Sequence, residues 1–389
     1  MKLLLIADGR SPITRRWLAM LQPLGHEVVL VSSYPCKAVE GVVRLHILPL
    51  AFADKGGSQA GEGPGGGIKR LVGAFRPLAQ RIRHLLGPWM LAKHVNEYLA
   101  ILEQEKPDLV HALRIPFEGM LASHTPPGIP VLVSTWGNDL TLHAPSTLRM
   151  SAMTRRALQR VDGLLSDTQR DAALALEWGF DAKKPALVVP GNGGIDLDEI
   201  FTITRGIERT EPPQVINPRG LRSYVRTDTF FKAVPLVLAR RPDVQFACAS
   251  QAGQIEAKRW VQQLGIEKNI RLLPFLSQPD LWREYARSQV SVSISTHDGT
   301  PNSLLEAMSL GCLPICGDIE SIREWITDGE NGLLVDPADP FALAGAILKA
   351  LDNHEFQQKA GQKSLHLIRT QADLDSSREK VKEFYARFA

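Results

Sequence analysis

The feature that most constrains the fold is a series of short apolar runs, rich in valine, isoleucine and leucine, separated by segments of helix length. In the first half of the chain these runs are 3–7, 28–32, 43–48, 109–113, 131–134, 163–166 and 187–189. In the second half they are 215–217, 244–249, 270–273, 290–295, 313–316 and 332–335. Apolar residues at successive positions are typical of strands buried on both faces, and their alternation with helices indicates parallel sheets. The sequence therefore predicts an α/β protein.

The two sets of runs are separated by a glycine-rich segment, PGNGGID, at residues 190–196. A chain of 389 residues with 44% hydrophobic content is long enough for two domains, each with its own core. We predict an N-terminal domain over 1–192 and a C-terminal domain over 193–371. Residues 372–389 are predicted to form a helix that packs against either domain, including a return to the first one.

Composition and charge argue against several classes of protein. A formal net charge of +3 is small for this length and does not favour a nucleic-acid binder. The apolar run at the amino end stops at Asp8, too early for a secretory signal, and no run approaches the ~20 apolar residues of a membrane span. The four cysteines do not suggest a disulfide framework or a metal site, and Cys312 and Cys316 are expected to be buried. We expect a cytoplasmic protein.

One region departs from the alternation of strands and helices. Residues 55–67 are glycine-rich and of low complexity, and they are expected to form a loop. Residues 68–86 form a basic amphipathic stretch, although Pro77 interrupts it. Its basic residues are Lys69, Arg70, Arg76, Arg81 and Arg83, among the apolar residues Leu71, Phe75, Leu78, Ile82 and Leu85. Such a stretch either docks on an anionic membrane surface or packs on its own domain, and both interpretations stay open.

The richest motif of the sequence is STHDGTPNSLLEAMSLGCLPICGD at residues 295–318. It follows a buried run, turns at Asp298–Gly299 and is predicted to enter a helix. We expect Thr300 to be the N-cap and Pro301 the first helical residue, where a missing N–H costs nothing. The positive end of the helix dipole is then suited to binding a phosphate.

This motif resembles the E-x7-E signature of retaining GT-B glycosyltransferases of the family-four type, also called group 1. Here it is D-G-T-P-N-S-L-L-E-A-M, followed by S-L-G-C-L-P-I. The resemblance implies an α/β fold of two Rossmann-like domains that face each other across a cleft. It also implies that Asp298 contacts hydroxyls of the donor sugar and that Glu306 binds the ribose hydroxyls. Asp298 stands where the family has Glu, which leaves the identity of the sugar open.

The family also has cationic residues that bind the donor diphosphate, and arginines follow the first strand of the second domain here. Arg219 matches the family's arginine, and Arg226 is the best substitute for a lysine that is missing, with Arg222 as another candidate. The resemblance also implies that the donor is bound by Gly299, Thr300, Pro301, Asn302, Ser303, Leu304, Phe275 and Leu276.

Two loops of the first domain are predicted to bind the acceptor. The loop at 8–17 has one glycine where a dinucleotide fingerprint needs three, which excludes a dehydrogenase of that type. In the loop at 135–140, Trp136 replaces the histidine of H-G-x-D in many relatives, while Gly137 and Asp139 match. The candidates for acceptor binding are Ser11, Arg15, Trp136, Gly137 and His111, and Asp139 is grouped with the catalytic residues.

The resemblance implies the retaining transfer of a sugar from a nucleotide sugar to a glycan or lipid-linked acceptor. The donor that it implies is a UDP-sugar. The departing phosphate would take the proton of the acceptor, so neither a metal nor another cofactor is implied. A protein of this kind would work in the cytoplasm or at the inner face of the membrane. Two alternatives are a non-catalytic relative that binds nucleotide or glycan, and a sugar-nucleotide epimerase, whose catalytic pattern we do not find.

Overall fold

The computed structural model describes residues 1–50, 76–222 and 224–388, with the side chains of 76–82 left out. The chain divides into two compact units. Unit 1 comprises Met1–Gly193 together with Ser377–Ala389, and unit 2 comprises Gly194–Ser376. The boundary between the units lies one residue from the position expected from the glycine-rich segment.

Unit 1 contains a seven-stranded parallel sheet in the order β3-β2-β1-β4-β5-β6-β7. Its strands are β1 (Lys2–Ala7), β2 (Glu27–Ser32), β3 (Arg44–Ile47), β4 (Leu109–Ala112), β5 (Val131–Thr135), β6 (Gly163–Ser166) and β7 (Ala186–Val188). In the register of the central strands, Leu4 lies beside Val29 on one side and Val110 on the other. All three side chains are fully buried, as expected for strands covered on both faces.

The helices of unit 1 cover this sheet. They are α1 (Pro12–Leu21), α2 (Arg76–Glu105), α3 (Met120–Ala122), α4 (Leu148–Arg160) and α5 (Gln169–Glu177). Local sequence explains where two of them begin, because the hydroxyls of Thr147 and Thr168 accept hydrogen bonds from backbone N–H groups in the first turns of α4 and α5.

Unit 2 contains a six-stranded parallel sheet in the order β10-β9-β8-β11-β12-β13. Its strands are β8 (Gln214–Asn217), β9 (Gln245–Cys248), β10 (Ile270–Leu272), β11 (Val290–Ser293), β12 (Leu313–Gly317) and β13 (Leu333–Val335). Its helices are α6 (Leu197–Thr204), α7 (Thr227–Leu238), α8 (Ile255–Leu264), α9 (Gln278–Arg287), α10 (Asn302–Ser309), α11 (Glu320–Arg323), α12 (Pro340–Asp352) and α13 (His354–Gln371). Every strand predicted from the apolar runs is present in one of the two sheets.

In each sheet the order of strands reverses direction at one place, between β1 and β4 in unit 1 and between β8 and β11 in unit 2. The loops at the carboxyl ends of such strands diverge and leave a crevice, where ligands of α/β proteins usually bind. The two candidate loops of unit 1 follow β1 and β5, and the two of unit 2 follow β8 and β11.

The last helix, α14 (Leu374–Ala386), begins in unit 2 and belongs to unit 1 from Ser377 onwards. The side chains of Val381, Phe384 and Tyr385 are buried there. The ring of Phe384 packs beside that of Phe388, 5.5 Å between centroids, over Gly163 of β6, where a Cβ atom would lie within 2.7 Å of Phe388. The end of the chain therefore completes the first unit.

The basic amphipathic stretch predicted at 68–86 lies largely outside the described residues, since side chains are described only from Arg83 onwards. Pro77 is the second residue of α2. No helix in the described part of the chain is long and apolar enough to span a bilayer. Cys312 and Cys316 are buried, as predicted.

Candidate active site

The candidate site of unit 2 lies at the carboxyl ends of β8 and β11, which are neighbours in the sheet. After β8, the side-chain oxygen of Asn217 accepts a hydrogen bond from the backbone N–H of Arg219 over 3.1 Å. After β11, the hydroxyl of Ser295 donates to Oδ2 of Asp298 over 3.0 Å. The two loops meet where Nη1 of Arg219 lies 2.8 Å from the same Oδ2. The fold thus brings together two residues from loops that are far apart in the sequence.

This ion pair is mostly withdrawn from solvent, since the side chains of Arg219 and Asp298 are 11% and 14% exposed. Burial by itself lowers the pKa of the Arg219 guanidinium, but the nearby Asp298 carboxylate outweighs it and raises that pKa above its usual value. The guanidinium also lies over the ring of Tyr224, 6.0 Å from its centroid. Arg219 is therefore a charged group held in a fixed position.

The loop that carries Asp298 leads into α10, whose N-cap is Pro301. The prediction that Thr300 caps this helix and that Pro301 is its first residue was wrong by one position. Thr300 is engaged elsewhere, because its hydroxyl accepts a hydrogen bond from Nε1 of Trp325 over 2.9 Å. The N-cap residue Pro301 makes no side-chain hydrogen bond to α10, so the amino end of this helix is suited to receive an anion.

Glu306 lies in the second turn of α10, and it is buried rather than solvated. Its Oε1 accepts a hydrogen bond of 2.5 Å from Nε2 of Gln278, the first residue of α9. The hydroxyl of Ser277 caps α9 and so fixes the position of Gln278. The amide of Gln278 thus orients this buried carboxyl group, and a carboxylate is a strong acceptor for hydroxyl groups.

The loops of unit 1 are organised around Asp139, which follows β5 and is fully buried. Its carboxylate accepts hydrogen bonds from the backbone N–H groups of Ile115 over 3.1 Å and of Trp136 over 3.3 Å. It also pairs with Nη2 of Arg114 over 2.6 Å. Because these donors belong to the loops after β4 and β5, Asp139 ties the two loops together.

His111 lies in β4 and is also fully buried. Its Nδ1 lies 2.7 Å from the hydroxyl of Tyr385 in α14, and its Nε2 lies 2.8 Å from the hydroxyl of Ser134 in β5. Burial lowers the pKa of His111 to about 3, so the ring is neutral at physiological pH. His111 therefore joins the last helix to the sheet.

Comparison with known proteins adds to this geometry. A model of group 1 glycosyl transferases matches residues 201–366, and a model of the glycosyl transferase 4-like domain matches residues 8–191. The chain belongs to the group 1 glycosyltransferases of the family-four type. The two matches meet close to the boundary between units 1 and 2, so each unit of this glycosyltransferase corresponds to one half of the family's two-domain arrangement.

Individual relatives of this glycosyltransferase are distant. It is 26% identical over 217 residues to a D-inositol 3-phosphate glycosyltransferase of Geodermatophilus obscurus, covering 51% of this chain and 48% of that protein. It is 24% identical over 138 residues to a poly(glycerol-phosphate) alpha-glucosyltransferase of Bacillus subtilis, covering 35% of this chain and 20% of that protein. The chain therefore spans less than half the length of either curated relative.

A solved structure gives the fold. The crystal structure of Anabaena Alr3699/HepE in complex with UDP matches with a TM-score of 0.70 and 13% identity, and the match covers 100% of both chains. With its two parallel-sheet Rossmann-like domains, the group 1 glycosyltransferase described here has the GT-B fold, as predicted.

The residues predicted for the donor site of this glycosyltransferase differ in their partners and in their burial. It joins Arg219 to Asp298, whereas Arg226, the N-cap residue of α7, pairs with Asp228 over 2.9 Å. Arg222 is exposed and donates to the hydroxyl of Tyr224 over 3.0 Å. The remaining predicted residues lie along two segments, with Phe275 exposed, Leu276, Asn302 and Ser303 half-buried, and Gly299, Thr300, Pro301 and Leu304 buried. The side chain of Leu304 packs in the core, so only its backbone is suited to a donor contact.

Two of the residues predicted for the acceptor side need correction. Asp139 and His111 are fully buried, and both are engaged with protein groups, which argues against direct contact with an acceptor. The other candidates lie at the loops, as expected. Ser11 is the N-cap residue of α1, and Arg15 donates to the carbonyl of Gly9 over 3.3 Å. Trp136 is half-buried, and the carbonyl of its neighbour Gly137 accepts a hydrogen bond from Arg170.

Sequence reasoning missed Gln278, which orients Glu306 in unit 2, and Arg114, which pairs with Asp139 in unit 1. Gln278 is 28 positions from Glu306, and no local pattern links the two residues. The described residues contain no cluster of three or more histidine, cysteine or acidic side chains that could hold a metal ion.

Proposed function

We propose that unit 2 binds the nucleoside diphosphate of a UDP-sugar and that this glycosyltransferase moves the sugar to an acceptor bound in unit 1. The observation that carries the proposal is the Arg219–Asp298 ion pair, which joins the loop after β8 to the loop that leads into the amino end of α10. The UDP complex of the Anabaena structural neighbour supports the choice of nucleotide.

The chemistry of the diphosphate fits Arg219 and α10. An arginine binds phosphate oxygens through two parallel N–H groups, and the amino end of a helix adds backbone donors and a positive partial charge. When the bond between the sugar and the diphosphate breaks, negative charge develops on the departing phosphate. A fixed guanidinium next to that phosphate stabilises the charge without needing to reorganise.

Asp298 and Glu306 have separate roles in this proposal. A phosphate that engages Arg219 competes with Asp298 for the guanidinium, which leaves the Asp298 carboxylate available to accept hydrogen bonds from sugar hydroxyls. Glu306 accepts hydrogen bonds from the ribose hydroxyls, while its Oε1 keeps the hydrogen bond from Gln278. Hydrogen bonds to a charged acceptor are worth roughly 1.5–3 kcal/mol each.

We also propose that transfer retains the configuration of the sugar and needs no metal. The acceptor hydroxyl forms its bond on the face of the sugar from which UDP leaves, and its proton passes to the departing phosphate oxygen. Both proposals rest on the family's E-x7-E motif. NMR of the first product made from an α-linked UDP-sugar checks retention, since a β-linked product rejects it, and loss of activity in EDTA rejects metal independence.

The acceptor is proposed to be a glycan or a lipid-linked sugar, used at the inner face of the membrane. Large exposed apolar side chains support docking there: at the end of the basic stretch Leu85 is 56% and Leu86 49% exposed, and just after it Trp89 is 65% exposed. Co-sedimentation with vesicles checks this part of the proposal. Equal binding to phosphatidylglycerol and phosphatidylcholine vesicles rejects docking through the basic stretch.

The donor site is tested by Glu306→Ala, with binding of UDP measured by titration calorimetry. Loss of the ribose hydrogen bonds is expected to weaken binding roughly ten- to a hundredfold. Glu256→Ala is the matched control, because Glu256 is an exposed carboxylate of the same unit. Unchanged UDP affinity in Glu306→Ala rejects the ribose role. Sugar transfer, or slow hydrolysis of the UDP-sugar, distinguishes the enzyme from a relative that only binds nucleotide.

A further inference from the structure

A second group of cationic side chains lies in unit 1. Arg10 follows β1, Tyr34 follows β2 and Arg114 follows β4, and these three strands are adjacent in the sheet. Arg83 reaches the same place from α2. The guanidinium of Arg10 lies 3.8 Å from the centroid of the Tyr34 ring, and that of Arg83 lies 5.4 Å from it. We call Arg10, Arg83 and Arg114 the arginine cluster.

Aromatic rings lie close to these guanidinium groups. Besides Tyr34, the ring of Phe117 lies 4.9 Å from Arg83, and the ring of Trp136 lies 5.5 Å from Arg114. Stacking on a ring uses the flat face of a guanidinium and leaves its N–H groups, which lie in the plane, for hydrogen bonds. Such an arrangement fixes the orientation of an arginine without consuming its donors.

Protein carboxylates balance only part of this charge. Arg10 forms a bidentate pair with Asp8, with both contacts at 3.1 Å, and Arg114 pairs with Asp139. Arg83 forms no ion pair with a carboxylate in the described part of the chain. Its Nε is buried there without a hydrogen-bond partner, and so is Nε of Arg114. Burying a donor without a partner is unfavourable, so these two N–H groups are suited to an acceptor atom of a ligand.

The remaining carboxyl group near Arg83 is that of Glu118, which is 3% exposed and accepts a hydrogen bond of 2.5 Å from the hydroxyl of Ser33. Burial raises the pKa of Glu118, although Arg114, Ser33 and Arg83 act in the opposite direction. His84 and His143 add no charge, since burial and the neighbouring arginines lower the pKa of both rings. The carboxylates of Asp8 and Asp139 therefore balance two of the three arginines, and burial works against a negative charge on Glu118.

The backbone beside the cluster is strained. Phe117 is a buried non-glycine residue with φ of 67° and ψ of −54°, between β4 and α3. Holding a residue in such a sparsely populated conformation is unfavourable, and such residues concentrate at ligand sites. Here the strained turn places the Phe117 ring against Arg83 and brings Glu118 into the interior. This observation is independent of the charges and points to the same place.

We propose that the arginine cluster binds a phosphate ester of the acceptor, with Arg83 as the main ligand and Arg114 and Arg10 beside it. The inference deepens the proposed function and rests on it, since it specifies the chemical class of the acceptor as anionic. Phosphate oxygens match the forked donors of arginine, and three guanidinium groups near neighbouring strand ends suit a group that carries more than one negative charge. The phosphate belongs either to a water-soluble polyol or sugar phosphate or to a lipid headgroup.

The first arm of the test uses glycerol 1-phosphate as the probe, with glycerol as its neutral counterpart. The full chain is saturated with UDP to occupy unit 2, and binding is followed by ³¹P NMR and calorimetry. We expect glycerol 1-phosphate to bind and glycerol not to bind. Arg83→Gln is expected to weaken binding by roughly tenfold or more, and Arg83→Lys, which keeps the charge but not the fork, by less. Lys93→Gln is the matched control, an exposed cation of the same helix, and should bind as the wild type does.

The second arm identifies the source of the phosphate. Vesicles with phosphatidic acid are compared with phosphatidylcholine vesicles, using wild type, Arg83→Gln and Lys93→Gln. A loss of binding to phosphatidic acid confined to Arg83→Gln supports the cluster and assigns a lipid headgroup. Equal vesicle binding by all three proteins, with the glycerol phosphate result retained, supports the cluster and assigns a soluble ester.

The proposal is overturned if Arg83→Gln and Arg83→Lys bind glycerol 1-phosphate as tightly as the wild type, or if glycerol binds as well as its phosphate. Failure of the proposed function is seen separately, as the absence of UDP binding by the wild type. In that case the difference between wild type and Arg83→Gln still reports on the arginine cluster, because Arg83 lies in unit 1.

Discussion

Each unit has an arginine–aspartate pair at the carboxyl edge of its sheet, and the two pairs are built differently. In unit 1, Asp139 is fully buried and bonds two backbone N–H groups besides Arg114, whose side chain is 31% exposed. In unit 2, Asp298 is 14% exposed and its carboxylate bonds the side chains of Arg219 and Ser295. A carboxylate that bonds backbone fixes the course of the loops, whereas one that bonds side chains can exchange partners when a ligand arrives.

The largest effect that tests this comparison is expected from Asp139→Ala. The substitution leaves Arg114 without its partner and removes the acceptor of two backbone N–H groups. The free energy of unfolding should fall by about 3–5 kcal/mol, the usual cost of breaking a buried pair. Urea denaturation measures it, and Asp162→Ala is a control, because Asp162 also bonds backbone and an arginine but is 39% exposed. If Asp139→Ala lowers the free energy of unfolding no more than Asp298→Ala does, the distinction between the two pairs is contradicted.

A third carboxylate shows how much a network of charged side chains stabilises unit 1. Glu105 is buried at the opposite edge of the sheet and bonds Arg44, His46 and Lys2. Burial raises the pKa of Glu105, but these hydrogen bonds outweigh it and lower the pKa to about 2. Because the folded-state pKa lies below the usual value, the stabilisation is present above about pH 4.5 and is lost as the pH falls towards 2.

Glu105→Gln should therefore lower the free energy of unfolding by roughly 2 kcal/mol at pH 7, after allowance for screening by solvent, and by less at pH 3. Denaturation at the two pH values measures the difference, with Glu97→Gln, an exposed position on α2, as the control. An effect of Glu105→Gln that does not depend on pH argues against the ionic origin of this stabilisation.

The smallest expected effect is a change in ligand preference rather than in stability. In Asp298→Ala the diphosphate no longer competes with a carboxylate for Arg219, so UDP should bind up to about tenfold more tightly. A UDP-sugar should gain less, because it loses the acceptor for its sugar hydroxyls. Calorimetry with UDP and UDP-glucose gives the ratio of the two affinities. An unchanged ratio contradicts the exchange of partners, and Asp318→Ala, an exposed carboxylate after β12, provides the control.

Much of the fold follows from the pattern of the sequence. A parallel strand that is covered on both faces needs apolar residues at successive positions, so runs such as that at Leu3–Ile6 identify strands directly. The motif around Asp298 and Glu306 likewise identifies a loop and helix, because its chemistry is local. The start of α10 was misplaced because Thr300 bonds Trp325, a tertiary contact that no local rule contains.

The acceptor side was harder to predict because its residues come from separate segments. Asp139 matches a family motif, yet its burial depends on how the loop after β4 returns to it. Arg83 and Arg114 are ordinary arginines in the sequence, and their significance comes from lying near the same strand ends. Burial and convergence are properties of the packed chain, so a local motif does not reveal them.

The return of α14 has a consequence for the order in which the protein matures. During synthesis the segment that contains Tyr385 leaves the ribosome only after all of unit 2. The hydrogen bond between His111 and Tyr385 therefore forms after the second sheet has been synthesised. A fragment that stops at Gly193 lacks Val381 and Phe384 and leaves the surface beside Gly163 uncovered. Attempts to produce the first half alone should therefore graft the final helix onto it.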